Sequence, residues 1–181
     1  MNTYTTEIKT GIAIGFSGFL WLLMEKALGL HDKNLDFRSF IFWLIIVLPM
    51  AGIFFLLSRK RDKVLNGSIS LLQCIKANLV FIPSTLITHI FFVWLYISVI
   101  NPNFLTIRMD HELKIIRSAQ IDIEAQLLKE GEIKEAYTTA AYLANYFMVS
   151  LIICLVLALA ISLIIRKHPL NAALENTEDV S

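Results

Sequence analysis

The chain has 181 residues, of which 56% are hydrophobic, and its formal net charge at pH 7 is +1. Soluble domains are ~45–50% apolar, and the excess here falls in four runs that approach the ~17–25 residues needed to cross a bilayer. A nearly neutral chain lacks the positive charge that attracts nucleic acid, so no nucleic-acid partner is expected. The composition predicts a single all-α polytopic membrane domain over residues 1–181, with four transmembrane helices and the lipid bilayer as its environment.

The first predicted span, residues 10–30, begins with closely spaced small residues. Gly11 and Gly15 form a small-xxx-small pair, which allows two helix backbones to approach closely in lipid. We interpret the pair as a packing surface for another helix of the same chain, with a homodimer contact as the alternative. No small-residue cleavage pattern follows the run, so it is expected to stay as a helix rather than to be removed as a signal peptide.

The second predicted span, residues 40–57, contains no charged residue and has Pro49 in its middle. Proline removes one backbone hydrogen bond, so a kink is expected there. Four cations follow within residues 59–63, a pattern typical of a cytoplasmic loop.

The third predicted span, residues 77–100, is the most polar of the four. Thr85 and His89 share one helix face, and Asn78 lies close to that face. Ionisable groups inside a membrane are costly and often functional, so Asn78, Thr85 and His89 form a candidate intramembrane polar site. The alternative is that a neutral His89 hydrogen-bonds to a neighbouring helix and only fastens the bundle.

The fourth predicted span, residues 142–165, has no charged residue, and the polar tail at 169–181 is predicted to be disordered. In a four-span chain, the cations at 59–63 and 166–167 lie on one side of the membrane and residues 101–139 on the other. The positive-inside rule therefore predicts a multi-pass protein of a bacterial inner membrane with both termini in the cytoplasm.

Residues 101–139 are predicted to form an extracytoplasmic helical arm between the third and fourth transmembrane helices. Pro102 ends the third helix. Gly131 is expected to interrupt the arm before a second short helix at 132–137. Apolar residues recur at three- or four-residue steps, with one seven-residue step, and predict one helix face: Leu105, Met109, Leu113, Ile116, Ile123 and Leu127. This stripe is expected to cover the rim of the bundle, the lipid interface or another protein.

None of the motifs of hydrolases, phosphate-binding loops or zinc proteases is present, so neither catalysis nor a cofactor is expected. Cys74 and Cys154 lack metal-type spacing and are interpreted as small packing residues. One set of residues near the outer ends of spans one and three has the ligand types that Zn²⁺ uses, although such residues are also common in solvated loops. This set consists of Glu25, His31, Asp32, Asp110 and His111.

Several short segments together resemble one family. They are residues 21–25 and 28–32 in the first helix and loop, 60–62 with Gly67 in the next loop, Tyr96 followed by 100–105, and 160–167 in the last helix. The most specific of them is the aromatic residue followed by the Ile-Asn-Pro-Asn-Phe sequence at 100–104. In these segments the chain resembles the domain of unknown function 4199 family, small four-helix membrane proteins of Bacteroidetes-type bacteria. The resemblance implies the four-helix topology and brings no activity, substrate or catalytic residue.

The sequence therefore favours an accessory or interaction protein of the inner membrane without catalytic activity. Its expected partner is another membrane or periplasmic protein that binds the outer arm, or a second copy of the chain. The alternative is a small transporter or channel that uses the polar face of the third helix.

Overall fold

The computed structural model describes residues 4–33, 35, 46–119 and 122–166. Within these residues the chain is all-helical, as predicted. It forms six α-helices: α1 Thr5–Ala27, α2 Val47–Lys63, α3 Leu71–Leu95, α4 Phe104–Ser118, α5 Ile123–Ala136 and α6 Thr139–Ile165. A π-helical segment, Tyr96–Ile100, continues α3 without a break.

Three helices of the described chain are long and apolar enough to cross a membrane. They are α1, α3 with its π-helical extension, and α6. The first part of the second predicted span, residues 40–45, lies outside the described part of the chain, and residues 46–57 are described. In the described residues α2 begins at Val47, so Pro49 lies in its first turn. The missing backbone N–H of the proline therefore removes no hydrogen bond within the described helix. The predicted disordered tail also lies outside the described residues.

The core joins α2, α3 and α6. Ile53, Leu56 and Leu57 of α2 are fully or almost fully buried against Phe81 of α3 and Ala158 of α6. Cys74 and Cys154 are buried in the same core as free thiols, as expected for packing residues. The described part of α2 is therefore packed between two of the helices that are able to span a membrane.

Glycines on one face of α1 bring its backbone against α3. A Cβ added to Gly11 would lie 2.7 Å from Ser84 Cβ, and one added to Gly15 would lie 2.7 Å from the Thr85 carbonyl oxygen. These distances are too short for any side chain. The small-xxx-small pair thus packs α1 within the chain, in agreement with the first of the two interpretations of the sequence.

Two ends of the bundle are distinguished by what they carry. The arm, defined here as α4 and α5 with their connection, leaves one end, which we call the arm end. The other end carries the basic run, residues 59–63, and we call it the basic end. There the buried carboxylate of Glu7 pairs with Lys60, whose Nζ also lies 5.7 Å from the centre of the Tyr4 ring.

The arm is helical, as predicted, but its break lies elsewhere. The chain leaves α4 at Ala119 with extended backbone, and α5 starts where the Asp122 side chain accepts a hydrogen bond of 3.2 Å from Glu124 N. Gly131 lies inside α5, where an added Cβ would meet no atom within 4 Å. The predicted interruption at Gly131 is therefore wrong, because an aspartate cap rather than the glycine divides the arm.

The continuous apolar stripe is also wrong beyond α4. Leu105 and Leu113 are buried, whereas Ile123 and Leu127 of α5 are 75% and 66% exposed. The break between the two helices turns the second half of the stripe away from the bundle.

Candidate functional site

A buried polar cluster lies at the arm end of the bundle, and it consists of Glu25, His31, Tyr96 and Asn101. Glu25, His31 and Tyr96 are only 2%, 1% and 0% exposed. His31 Nε2 lies 2.9 Å from Glu25 Oε2, and its Nδ1 is hydrogen-bonded to the Tyr96 hydroxyl. The Asn101 amide donates to the same hydroxyl at 3.0 Å. Trp21 adds a hydrogen bond of 2.8 Å from its indole N–H to Glu25 Oε1.

The end of α1 folds His31 back onto Glu25. Gly29 adopts φ +71°, the left-handed conformation that favours glycine. Gly29 N donates to Lys26 O and Leu30 N donates to Glu25 O, both at 3.0 Å, which is the pattern of a Schellman motif. The chain therefore reverses immediately after α1, and the side chain of His31, two residues after Gly29, enters the interior of the bundle.

The π-helical segment supplies the other half of the cluster. Its hydrogen bonds span five residues instead of four, and the last described one joins Asn101 N to Tyr96 O at 2.8 Å. The Asn101 side chain thereby reaches the hydroxyl of the same tyrosine. Pro102 follows, and α4 begins at Phe104, whose ring meets the His31 ring edge-on with centroids 4.8 Å apart. Asn101 and Phe104 of this Asn-Pro sequence thus both contact the cluster.

The donors and acceptors of the cluster are matched. The indole of Trp21 and the amide nitrogen of Asn101 can only donate, and the Glu25 carboxylate can only accept. His31 Nε2 therefore donates its proton to Glu25. The Tyr96 hydroxyl accepts from Asn101 and forms a second hydrogen bond with His31 Nδ1, in which either group can be the donor. Glu25 accepts from both Trp21 and His31, so each of these side chains has a hydrogen-bond partner inside the cluster.

The predicted metal ligands are only partly brought together. Glu25 and His31 are in direct contact, whereas Asp32 is exposed and its side chain accepts a hydrogen bond of 2.7 Å from Lys33 N. Asp110 is exposed and His111 is half-buried on α4. Among the described residues no group of three or more His, Cys, Asp or Glu side chains is placed to hold a metal ion. The metal site remains a prediction from the sequence.

His89 joins three helices in the middle of the bundle. Its Nδ1 lies 3.2 Å from the Gly15 carbonyl oxygen of α1, and its Nε2 lies 2.9 Å from the Tyr146 hydroxyl of α6. A carbonyl can only accept, so Nδ1 carries the proton and Nε2 accepts from the tyrosine. Gly18 leaves room for the imidazole, since a Cβ there would lie 2.3 Å from the ring. Both ring nitrogens of His89 are therefore engaged.

The candidate intramembrane polar residues separate into two places. Thr85 and His89 line a cavity of about 80 Å³ between α1, α2, α3 and α6, and the Thr85 hydroxyl donates to Phe81 O at 3.0 Å. Asn78 instead donates to the Ser162 hydroxyl of α6 at 3.2 Å, and its Oδ1 is buried without a hydrogen bond. Asn78 thus belongs to a different groove between α3 and α6.

An ion pair joins the two helices of the arm. The Arg117 guanidinium donates to both carboxylate oxygens of Glu130, at 2.9 and 3.0 Å, and Gln126 adds a hydrogen bond of 3.3 Å. These donors, Arg117 first, lower the pKa of the Glu130 carboxyl to about 2. The pair holds α5 against α4 through polar contacts and leaves the apolar residues of α5 outside.

Sequence reasoning missed Glu7, Tyr96 and Tyr146 as partners of other side chains. The pairing of Glu7 could have been predicted from the sequence. An acidic residue just before an apolar run needs a cation at the same depth, and the basic run supplies Lys60. No comparable pattern connects Tyr146 to His89, which lies 57 residues away.

The described part of the chain is thus helical, with three helices long and apolar enough to cross a membrane. The buried side chains of its two polar sites, around His31 and around His89, form hydrogen bonds within the protein. The sequence profile of a family described as a protein of unknown function (DUF4199) matches residues 9–167, and the chain belongs to this family, as the resemblance predicted. No curated protein matches the chain, and no solved structure matches it.

Proposed function

We propose that the protein is a non-catalytic, multi-pass protein of a bacterial inner membrane that binds another protein through its arm. In this proposal residues 40–57 form the second of four spans, supported by the burial of Ile53, Leu56 and Leu57 against α3 and α6. The basic run and Arg166 mark the cytoplasmic end, and the arm lies on the opposite side of the membrane.

The observation that carries the proposal is the exposed apolar surface of α5. Ile123, Leu127 and Leu128 are 75%, 66% and 66% exposed, and the first two are one helical turn apart. The Arg117–Glu130 pair fixes α5 without covering these side chains. Apolar surface of this kind on a polar helix is typical of a protein contact.

Photo-crosslinking in living cells tests the proposal. A photoreactive residue at Leu128 is expected to give one discrete adduct with another protein. The double substitution Ile123→Asp, Leu127→Asp is expected to abolish it. The same photoreactive residue at Glu132, also exposed on α5, serves as the matched control.

Three outcomes would contradict the proposal. Adducts of equal yield from positions 128 and 132 would indicate random collision. Adducts with lipid alone would assign α5 to the membrane interface. Adducts formed only between two copies of the chain would indicate that α5 contacts a second copy rather than another protein.

The second candidate function is a small transporter or channel, and the cavity beside His89 favours it. Its lining is mostly apolar, and His89 is hydrogen-bonded on both sides, so the contacts support a fastening role more strongly than a transport path. Ion flux into liposomes that contain the purified protein, if lost in His89→Ala and kept in His111→Ala, would favour the transporter.

A further inference from the structure

The cations of the basic run divide into two kinds. Lys60 pairs with a buried carboxylate of α1, and Arg61 bonds the Asp62 carboxylate at 2.6 and 3.2 Å. Arg59 and Lys63 form no ion pair with any residue that the structure describes. Within the described part of the chain, two of the four positive charges therefore have no carboxylate partner.

Arg59 and Lys63 are four residues apart and share one face of α2. Together with Phe55, Ser58 and Asp62 they line an open hollow of about 420 Å³. The Ser58 hydroxyl adds a hydrogen-bond donor. The Asp62 charge is compensated by Arg61, so the hollow keeps a net positive charge.

The depth of the hollow corresponds to a headgroup region. Leu57, the last buried apolar residue of α2, shares a core with Ile165 at the end of α6. Ser58 to Lys63 therefore follow the apolar part of the bundle directly. Phe55, one turn earlier, is 55% exposed and faces outward, where hydrocarbon would surround candidate spans α3 and α6.

We propose that this hollow binds the phosphate headgroup of an anionic phospholipid, with an acyl chain lying along Phe55. The guanidinium of Arg59 and the ammonium of Lys63 pair with the phosphate oxygens, and Ser58 donates to them. A free phosphate ion has the same headgroup chemistry but lacks the chain that Phe55 contacts. The lipid is therefore the ligand that uses both the charged and the apolar side of the hollow.

Lipid retention measured by native mass spectrometry tests the site. The full chain is released from nanodiscs that contain equal amounts of phosphatidylglycerol and phosphatidylcholine. We expect retained phosphatidylglycerol to fall about tenfold in Arg59→Gln, Lys63→Gln, since each cation near an anionic lipid contributes to binding. Lys114→Gln, Lys129→Gln removes the same charge from the exposed arm and is expected to leave retention unchanged.

The controls separate the sources of binding. The double variant Arg59→Lys, Lys63→Arg keeps both charges and is expected to retain the lipid. If the glutamine variant fails to fold, this variant is compared with the wild type, and loss of the lipid from it would contradict binding by charge. Equal losses in the basic-run and arm variants would overturn the site in favour of bulk attraction. Release of the lipid by inorganic phosphate alone would assign the hollow to the free ion and overturn the lipid. The arm crosslink at Leu128 is measured separately, so the two proposals fail independently.

Discussion

The buried cluster at the arm end predicts a large and coupled loss of stability when His31 is removed. His31→Ala deletes the donor to Glu25, which is only 2% exposed, and the hydrogen-bond partner of the Tyr96 hydroxyl. Removing the partner of a buried carboxylate leaves an uncompensated buried charge, which costs about 3–5 kcal/mol, a large part of the ~5–15 kcal/mol that stabilises a typical protein. Asp32→Ala changes the exposed neighbour and is expected to cost less than about 0.5 kcal/mol.

Tyr96→Phe isolates the middle of the chain of hydrogen bonds. It keeps the ring in its aromatic contacts and removes only the hydroxyl, so we expect a cost of about 1–2 kcal/mol. In a His31→Ala background the hydroxyl has already lost its hydrogen bond to His31. The two costs should therefore fall short of additivity by about 1 kcal/mol.

Denaturant titration of the wild type, the three single variants and the His31→Ala, Tyr96→Phe double variant in one detergent, followed by circular dichroism, measures both the costs and the coupling. A His31→Ala variant no less stable than Asp32→Ala would refute the buried pair. Strict additivity with Tyr96→Phe would refute the coupling between Tyr96 and His31 while leaving the His31–Glu25 pair intact.

Three further predictions concern the packing of α1, the arm and the basic end. Gly15→Leu places a side chain against the backbone of α3 and should destabilise the protein by about 1–3 kcal/mol or more. Gly131→Ala adds a methyl group in open space inside α5 and should stabilise the protein by about 0.5–1 kcal/mol. Thermal unfolding of the two variants checks both values. Pairing lowers the pKa of Glu130, so its stabilisation of the arm is present above about pH 4.5 and is lost as the pH falls towards about 2. Spin labels on α4 and α5 should separate over this interval, and Arg117→Gln should separate them already at neutral pH without an acid transition. Lys60→Met leaves its partner carboxylate buried and unpaired and should cost about 3–5 kcal/mol, seen as a lower denaturation midpoint; an unchanged midpoint would contradict the buried pair.

Features with a local cause were predictable from the sequence. The helices and the small-residue face of α1 follow from apolar runs and glycine spacing, and both agree with the structure. Pro102 ends the third helix region as expected, because a proline restricts its own backbone and that of the residue before it.

Features that depend on distant partners were not predictable in the same way. His31 lies in a polar segment whose sequence is typical of an exposed loop, yet the left-handed turn at Gly29 directs its side chain into the interior. The sequence grouped Glu25 and His31 only as candidate metal ligands, and the pattern could not select His31 as the direct partner of Glu25. The division of the arm was missed because the aspartate cap at Asp122 outweighs a glycine that nothing contacts.

The contact between Gly18 and His89 has a consequence for how the sequence is able to vary. The space of one missing Cβ on α1 is filled by the imidazole of α3, at 2.3 Å from where that atom would lie. An alanine at position 18 therefore requires the imidazole of His89 to shift or a smaller side chain to replace it, and either change would disturb the hydrogen bond to Tyr146. The three positions are expected to change as a group, so a library that randomises them together should yield folded proteins that no single substitution reaches.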